Sequence, residues 1–159
     1  MTVDEIKNLI VAERARQDAL HPADWREWAP TAILCILIEE VGEVAQAVND
    51  RTGNGVRQEL VEVAAVCFRW LEVLVGDSVR AWEYVEHTEI LNDRCLEQPT
   101  ERVSSLRRCL SAFDSPHNGT VQVLSAFVGF CVRWLLWFED DPTLCEEKRR
   151  IQSRKVSEA

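Results

Sequence analysis

The chain has 159 residues, with 27 acidic and 18 basic side chains and a net charge of −9. That length holds one ordinary domain with a sizeable core, and a hydrophobic content of 47% argues against disorder. The acidic balance disfavours nucleic acid or an anionic membrane as the main partner, since both attract a basic surface.

Only six glycines and five prolines punctuate the chain, and no apolar/polar alternation of period two is sustained. The fold class expected is therefore all-α, a helical bundle. The opening M-T-V-D-E-I is acidic, with no apolar run, and the longest apolar stretch, Val123 to Phe138, is interrupted by Arg133. A soluble, cytoplasmic protein is expected. The six cysteines show no C-x-x-C spacing and read as small buried apolar residues of a reducing compartment.

In chain order, the first helix is expected over residues 3 to 19, with Val3, Ile6, Leu9 and Ile10 on one side. Glu13 and Gln17 continue that side, which predicts either a half-exposed helix end or a polar site nearby. His21-Pro22 ends the helix. Trp25 and Trp28 follow in a short loop closed by Pro30, placed either to lid the core or to stack a base. The second helix is expected over residues 31 to 48, with Thr31 as N-cap. Its first half, A-I-L-C-I-L-I, is apolar all round and predicts a central place in the bundle. Gly53-Asn54-Gly55 reads as a turn, followed by a third helix over residues 56 to 75 and a stop at Gly76.

The charged positions on these two helices carry the chemistry. Successive residues of a helix turn by about 100°, so with Glu40 at zero, Ile33 lies at about 20°, Val44 at about 40° and Glu43 at about 300°. With Glu59 at zero, Val63, Val66, Trp70 and Val73 all fall within about 40°, and Glu62 lies at about 300°. Both helices thus set an i, i+3 glutamate pair within the face they are expected to bury. Buried carboxylates cost several kcal/mol each unless paired. Arg57 and Arg69 are the nearest bases in sequence, and a divalent cation would neutralise the cluster directly. Glu40, Glu43, Glu59 and Glu62 are therefore the candidate metal ligands. An all-oxygen donor set suits Mg²⁺, Mn²⁺ or Ca²⁺. A di-iron bundle is disfavoured, because no Glu-x-x-His occurs.

Glu40-x-x-Glu43, fifteen residues, then Glu59-x-x-Glu62 resembles the signature of the MazG-like all-α nucleoside triphosphate pyrophosphohydrolases, relatives of the dimeric dUTPases. L-I-E-E-V-G-E-V-A-Q-A-V and Q-E-L-V-E-V-A-A-V resemble that family's two carboxylate helices. The likeness covers about residues 10 to 75. It departs at Glu62, where the family carries Asp and this chain keeps a carboxylate one methylene longer. The resemblance implies Mg²⁺, with Mn²⁺ as a substitute, held by the four glutamates. It implies a nucleoside triphosphate cleaved to a monophosphate and pyrophosphate, with Glu39 orienting the attacking water. It also implies Trp25, Trp28, Asn92 and Arg94 as substrate contacts, and a homodimer or higher oligomer. A helical interaction module of the same type without activity is the alternative expectation.

The second half repeats the first. Shifted by 64, N-G-V-R-Q-E-L-V-E-V-A-A-V-C-F-R-W-L (54–71) aligns with N-G-T-V-Q-V-L-S-A-F-V-G-F-C-V-R-W-L (118–135), and eight of the eighteen positions are identical. Glu59 falls on Val123, Glu62 on Ala126, Glu40 on Ser104 and Glu43 on Arg107. The second copy keeps the apolar stripe and loses every candidate ligand. The expected layout of the single domain, 1–159, is a carboxylate half (1–76), a helical connector (77–100), a degenerate second copy (101–140) and a charged tail (141–159). The two copies would form a tandem pseudo-dimer.

Overall fold

The computed structural model describes residues 1–20, 25–50, 53–88, 99–113 and 119–137, and every element among them is helical. Helix α1 is Val3–Leu20, α2 is Pro30–Asn49, α3 is Gly53–Val75, α4 is Ser78–Glu86, α5 is Pro99–Ala112 and α6 is Thr120–Trp137. A single 3₁₀ turn, Trp25–Glu27, lies between α1 and α2. Asn92, Arg94, His21-Pro22 and the tail from 141 lie outside the described residues.

Local chemistry sets the helix ends. Thr2 and Glu5 form a capping box at the start of α1. The Glu5 amide donates to the Thr2 hydroxyl at 3.2 Å, and the Thr2 amide donates to the Glu5 carboxylate at 2.6 Å. Helix α2 begins one residue before Thr31. Ala29, in an extended conformation, is its N-cap and Pro30 its first residue, because a proline's fixed φ and missing N–H suit that position. Helix α3 begins at Gly53, so the expected turn cluster is its first turn, where backbone N–H groups need no helical partner. It ends at Gly76, whose φ of 98° is the left-handed stop, with its N–H donating to the Glu72 carbonyl at 2.8 Å. Asp77 then caps α4 by accepting from the Arg80 amide at 2.8 Å.

Helices α2, α3, α6 and α5 pack in a closed ring, each against the next, and α1 and α4 each lie against both α3 and α6. Exchanging α1 with α4, α2 with α5 and α3 with α6 maps this set of helix packings onto itself. The core runs through the ring: Leu37, Leu60, Phe68, Leu71, Leu106, Leu124, Phe127 and Leu135 are fully buried. Cys67 and Cys131, which occupy equivalent positions of the repeat, are both fully buried, and burial followed by each other's proximity pushes the Cys67 thiol up. Of the second-copy positions, Val123, Phe127, Phe130 and Trp134 are buried and Ala126 is half-buried.

Helix α2 is less central than its composition predicts. It packs against α3 and α5 and leaves Ala32, Cys35 and Ile38 exposed. An apolar stretch reports how little a helix side costs to bury, not how many neighbours the topology supplies. Two of the three exposed side chains are small, so leaving them in water costs little. No helix among the described residues is long and apolar enough to cross a membrane.

Candidate metal centre and its cleft

Helices α2 and α3 are joined by a short connection and run antiparallel, which brings their two glutamate pairs level. Val41, Val44 and Ala47 on α2, and Val56, Leu60 and Val63 on α3, are buried. Their packing fixes the rotation of both helices, and Glu40, Glu43, Glu59 and Glu62 are carried to the common edge. Each offers one carboxylate oxygen, and those four atoms lie within 4.8 Å of one another. Glu40, Glu59 and Glu62 are half-buried and Glu43 is exposed. The sequence placed all four within the apolar stripe; the structure puts them at its margin.

The electrostatics are those of crowded acids. The Glu40 carboxyl is pushed up to about 7, first by burial and then by the charges of Glu62, Glu43, Glu59 and Glu39. Glu59 is likewise pushed up to about 7 by burial, by Glu62 and Glu43, and by a side-chain hydrogen bond to Glu43. Glu40 Oε2 is buried without a hydrogen-bond partner. Glu62 Oε1 accepts from Gln58 Nε2 at 2.7 Å. The two bases closest in sequence are engaged elsewhere: Arg57 reaches the Met1 sulfur at 3.2 Å, and Arg69 lies 3.5 Å from Asp18 and 3.6 Å from Glu72.

A divalent cation fits this donor set. Oxygens on opposite sides of Mg²⁺ at about 2.1 Å stand about 4.2 Å apart, and around Ca²⁺ at about 2.4 Å they stand about 4.8 Å apart. The cluster therefore spans the width of one hard cation. The orphaned Glu40 Oε2 is the atom such an ion would satisfy.

A cleft of about 400 Å³ opens beside the cluster, with Glu39, Glu40, Glu43 and Glu62 in its wall. Trp25 and Trp28 line the same cleft. Their rings are parallel to within 3° with centroids 5.6 Å apart, Trp25 buried and Trp28 half-buried. Trp25 thus joins the core, as the lid reading expects, and both rings also line the cleft. The structure brings together Glu39, the four glutamates, Trp25 and Trp28.

Sequence reasoning missed Arg16, which lines the cleft from α1 and is bound to Glu13, itself only 7% exposed. The signal was present in the polar continuation of the α1 stripe by Glu13 and Gln17, and Gln17 also lines the cleft.

Comparison of the chain with protein-family models, with curated proteins and with solved structures finds no match.

Proposed function

We propose that this chain is a metal-dependent nucleoside triphosphate pyrophosphohydrolase of MazG-like type. The observation that carries the reading is the convergence of four carboxylate oxygens within 4.8 Å, from two helices, beside a tryptophan-lined cleft. A structural acid cluster has no need of a cleft, and a core tryptophan pair has no need to face one.

Glu40, Glu43, Glu59 and Glu62 would hold Mg²⁺ or Mn²⁺. Such ions offset phosphate charge and make a nearby water more acidic. Glu39, exposed on the cleft wall one residue from Glu40, would orient that water toward the α-phosphorus. Trp25 and Trp28 offer the flat apolar surface that a base or sugar covers. The longer Glu62 side chain reaches the cluster and is held there by Gln58. The ring of helices and the matched repeat support a tandem pseudo-dimer, in which α5 and α6 close the bundle and the chemistry stays with α2 and α3.

The test is a panel of canonical and modified nucleoside triphosphates with Mg²⁺ or Mn²⁺, read by anion-exchange separation of products. Monophosphate and pyrophosphate in equal amounts are expected. Diphosphate and phosphate would assign a different bond, and no product from any nucleotide would overturn the reading.

A further inference from the structure

Among the described residues in the cleft wall, Arg16 is the one that carries a positive charge. Its place is set by a carboxylate that ordinary surface pairing does not explain. Glu13 lies one turn earlier on α1 with 7% of its surface exposed, and both of its oxygens face the guanidinium. Arg16 Nε donates to Glu13 Oε2 at 2.8 Å and Oε1 at 3.1 Å, and Arg16 Nη2 donates to Oε1 at 2.7 Å. A buried carboxylate is costly unless its partner is well placed, so the pair holds one geometry rather than sampling many.

A guanidinium has five N–H donors in a rigid plane, and Glu13 occupies the Nε edge. The two hydrogens on Nη1 and one on Nη2 are directed away from it. The Arg16 side chain is 51% exposed, and its Nη2 lies 3.9 Å from Glu62 Oε1, an oxygen of the carboxylate cluster. A planar cation with donors to spare is thus fixed at the rim of an anionic cluster. A planar fork of donors matches the oxygens of a phosphoryl group. The geometry points to a phosphate subsite on α1: Arg16, held in place by Glu13, binds a phosphoryl group of a polyphosphate adjacent to those gripped through the carboxylates. The inference rests on reading the carboxylates as a metal–polyphosphate site, and not on hydrolysis taking place. Arg16 is the binding residue and Glu13 its positioning residue.

Titration calorimetry with inorganic tripolyphosphate in excess Mg²⁺ tests this directly. R16M keeps most of the aliphatic stem and is expected to weaken binding by roughly ten- to a hundredfold. R16K, a point charge without the fork, is expected to recover part of the loss. E13Q is expected to weaken binding less than R16M and to add nothing in the R16M background, because it acts only through Arg16. The Mg²⁺-induced rise in melting temperature is expected to survive in R16M, which shows the fold and the metal cluster intact. Where hydrolysis is measurable, KM rises more than kcat falls. Wild-type affinity in R16M overturns the inference, and so does failure of the wild type to bind tripolyphosphate with Mg²⁺. Failure of the hydrolase reading looks different: tripolyphosphate binds through Arg16, yet no nucleotide yields monophosphate.

Discussion

Glu43 and Glu59 share a hydrogen bond that exists only while one of them carries a proton. The Glu59 carboxyl, ordinarily at 4.5, is pushed up to about 7, and Glu40 shares that value. In the unfolded chain both groups lose their protons near the ordinary value, so between about pH 4.5 and 7 the folded state binds more protons. Stability of the metal-free protein from these groups is present in full below the lower value and is lost as pH rises through the upper one. The melting temperature measured in chelator is expected to fall from pH 5 to pH 7.5. Mg²⁺ competes with those protons, so its stabilisation grows over the same interval and is slight at pH 5. A Gln side chain imitates the protonated acid toward Glu43. E59Q is therefore expected to flatten the pH dependence in chelator while removing Mg²⁺-dependent pyrophosphate release. An E59Q protein that keeps wild-type activity would remove Glu59 from the ligand set.

At the scale of helices, Phe127 on α6 is fully buried and stacks with Phe113 at 6.2 Å, and Phe113 stacks on Trp70 of α3 at 5.4 Å. F127A is expected to cost about 3–5 kcal/mol, read from the denaturant midpoint. V123E places a glutamate at the position equivalent to Glu59, but Ala126, Ser104 and Arg107 stand where Glu62, Glu40 and Glu43 would share an ion. It is expected to cost several kcal/mol that Mg²⁺ does not recover. The α4 cap is smaller in effect, and D77A is expected to cost about 1 kcal/mol. Helix positions were legible because the 3.6-residue period, the proline at the start of α2 and the stop at Gly76 are local signals. The start of α1 was read at its residue, whereas those of α2 and α3 were read one and three residues late. Thr31 is a good cap by composition but follows a proline that occupies the first helical position, and glycines in a first turn look like breakers. The four glutamates were legible because a charge within an apolar stripe contradicts its surroundings. Arg16 was not, because its role depends on Glu13 becoming buried, which the packing of α1 decides and its own periodicity does not.

Across the whole molecule, α1 is tied to the central helices by a network of half-buried charges around one buried carboxylate. Glu72 on α3 is 6% exposed, with Arg14 Nε at 2.8 Å and off the line of a hydrogen bond, and Arg69 Nη1 at 3.6 Å. The Ser78 hydroxyl donates to the same carboxylate, and Asp18 lies 3.8 Å from Arg14 and 3.5 Å from Arg69. Removing one member strands the others, so R14M is expected to cost about 3–5 kcal/mol. It also loosens the helix that carries Arg16 and Gln17 into the cleft, so tripolyphosphate affinity falls along with the melting temperature. E72Q is expected to be milder, since an amide still accepts from Ser78.

The ring α2–α3–α6–α5 is drawn from a single polypeptide. Where two separate copies must meet to complete such a ring, assembly is second order and dilution dissolves it. Here a covalent connection replaces the encounter, and joining two halves in one chain can raise their effective concentration to the order of millimolar. The unfolding midpoint of this chain is therefore expected to be the same at about 0.1 and about 100 µM protein, whereas an obligate dimer would lose stability on dilution. The connection also separates the fates of the two halves: a substitution in α6 appears once per ring rather than twice. Half of the bundle can then do without carboxylates and keep only its packing, without the other half losing one of its own.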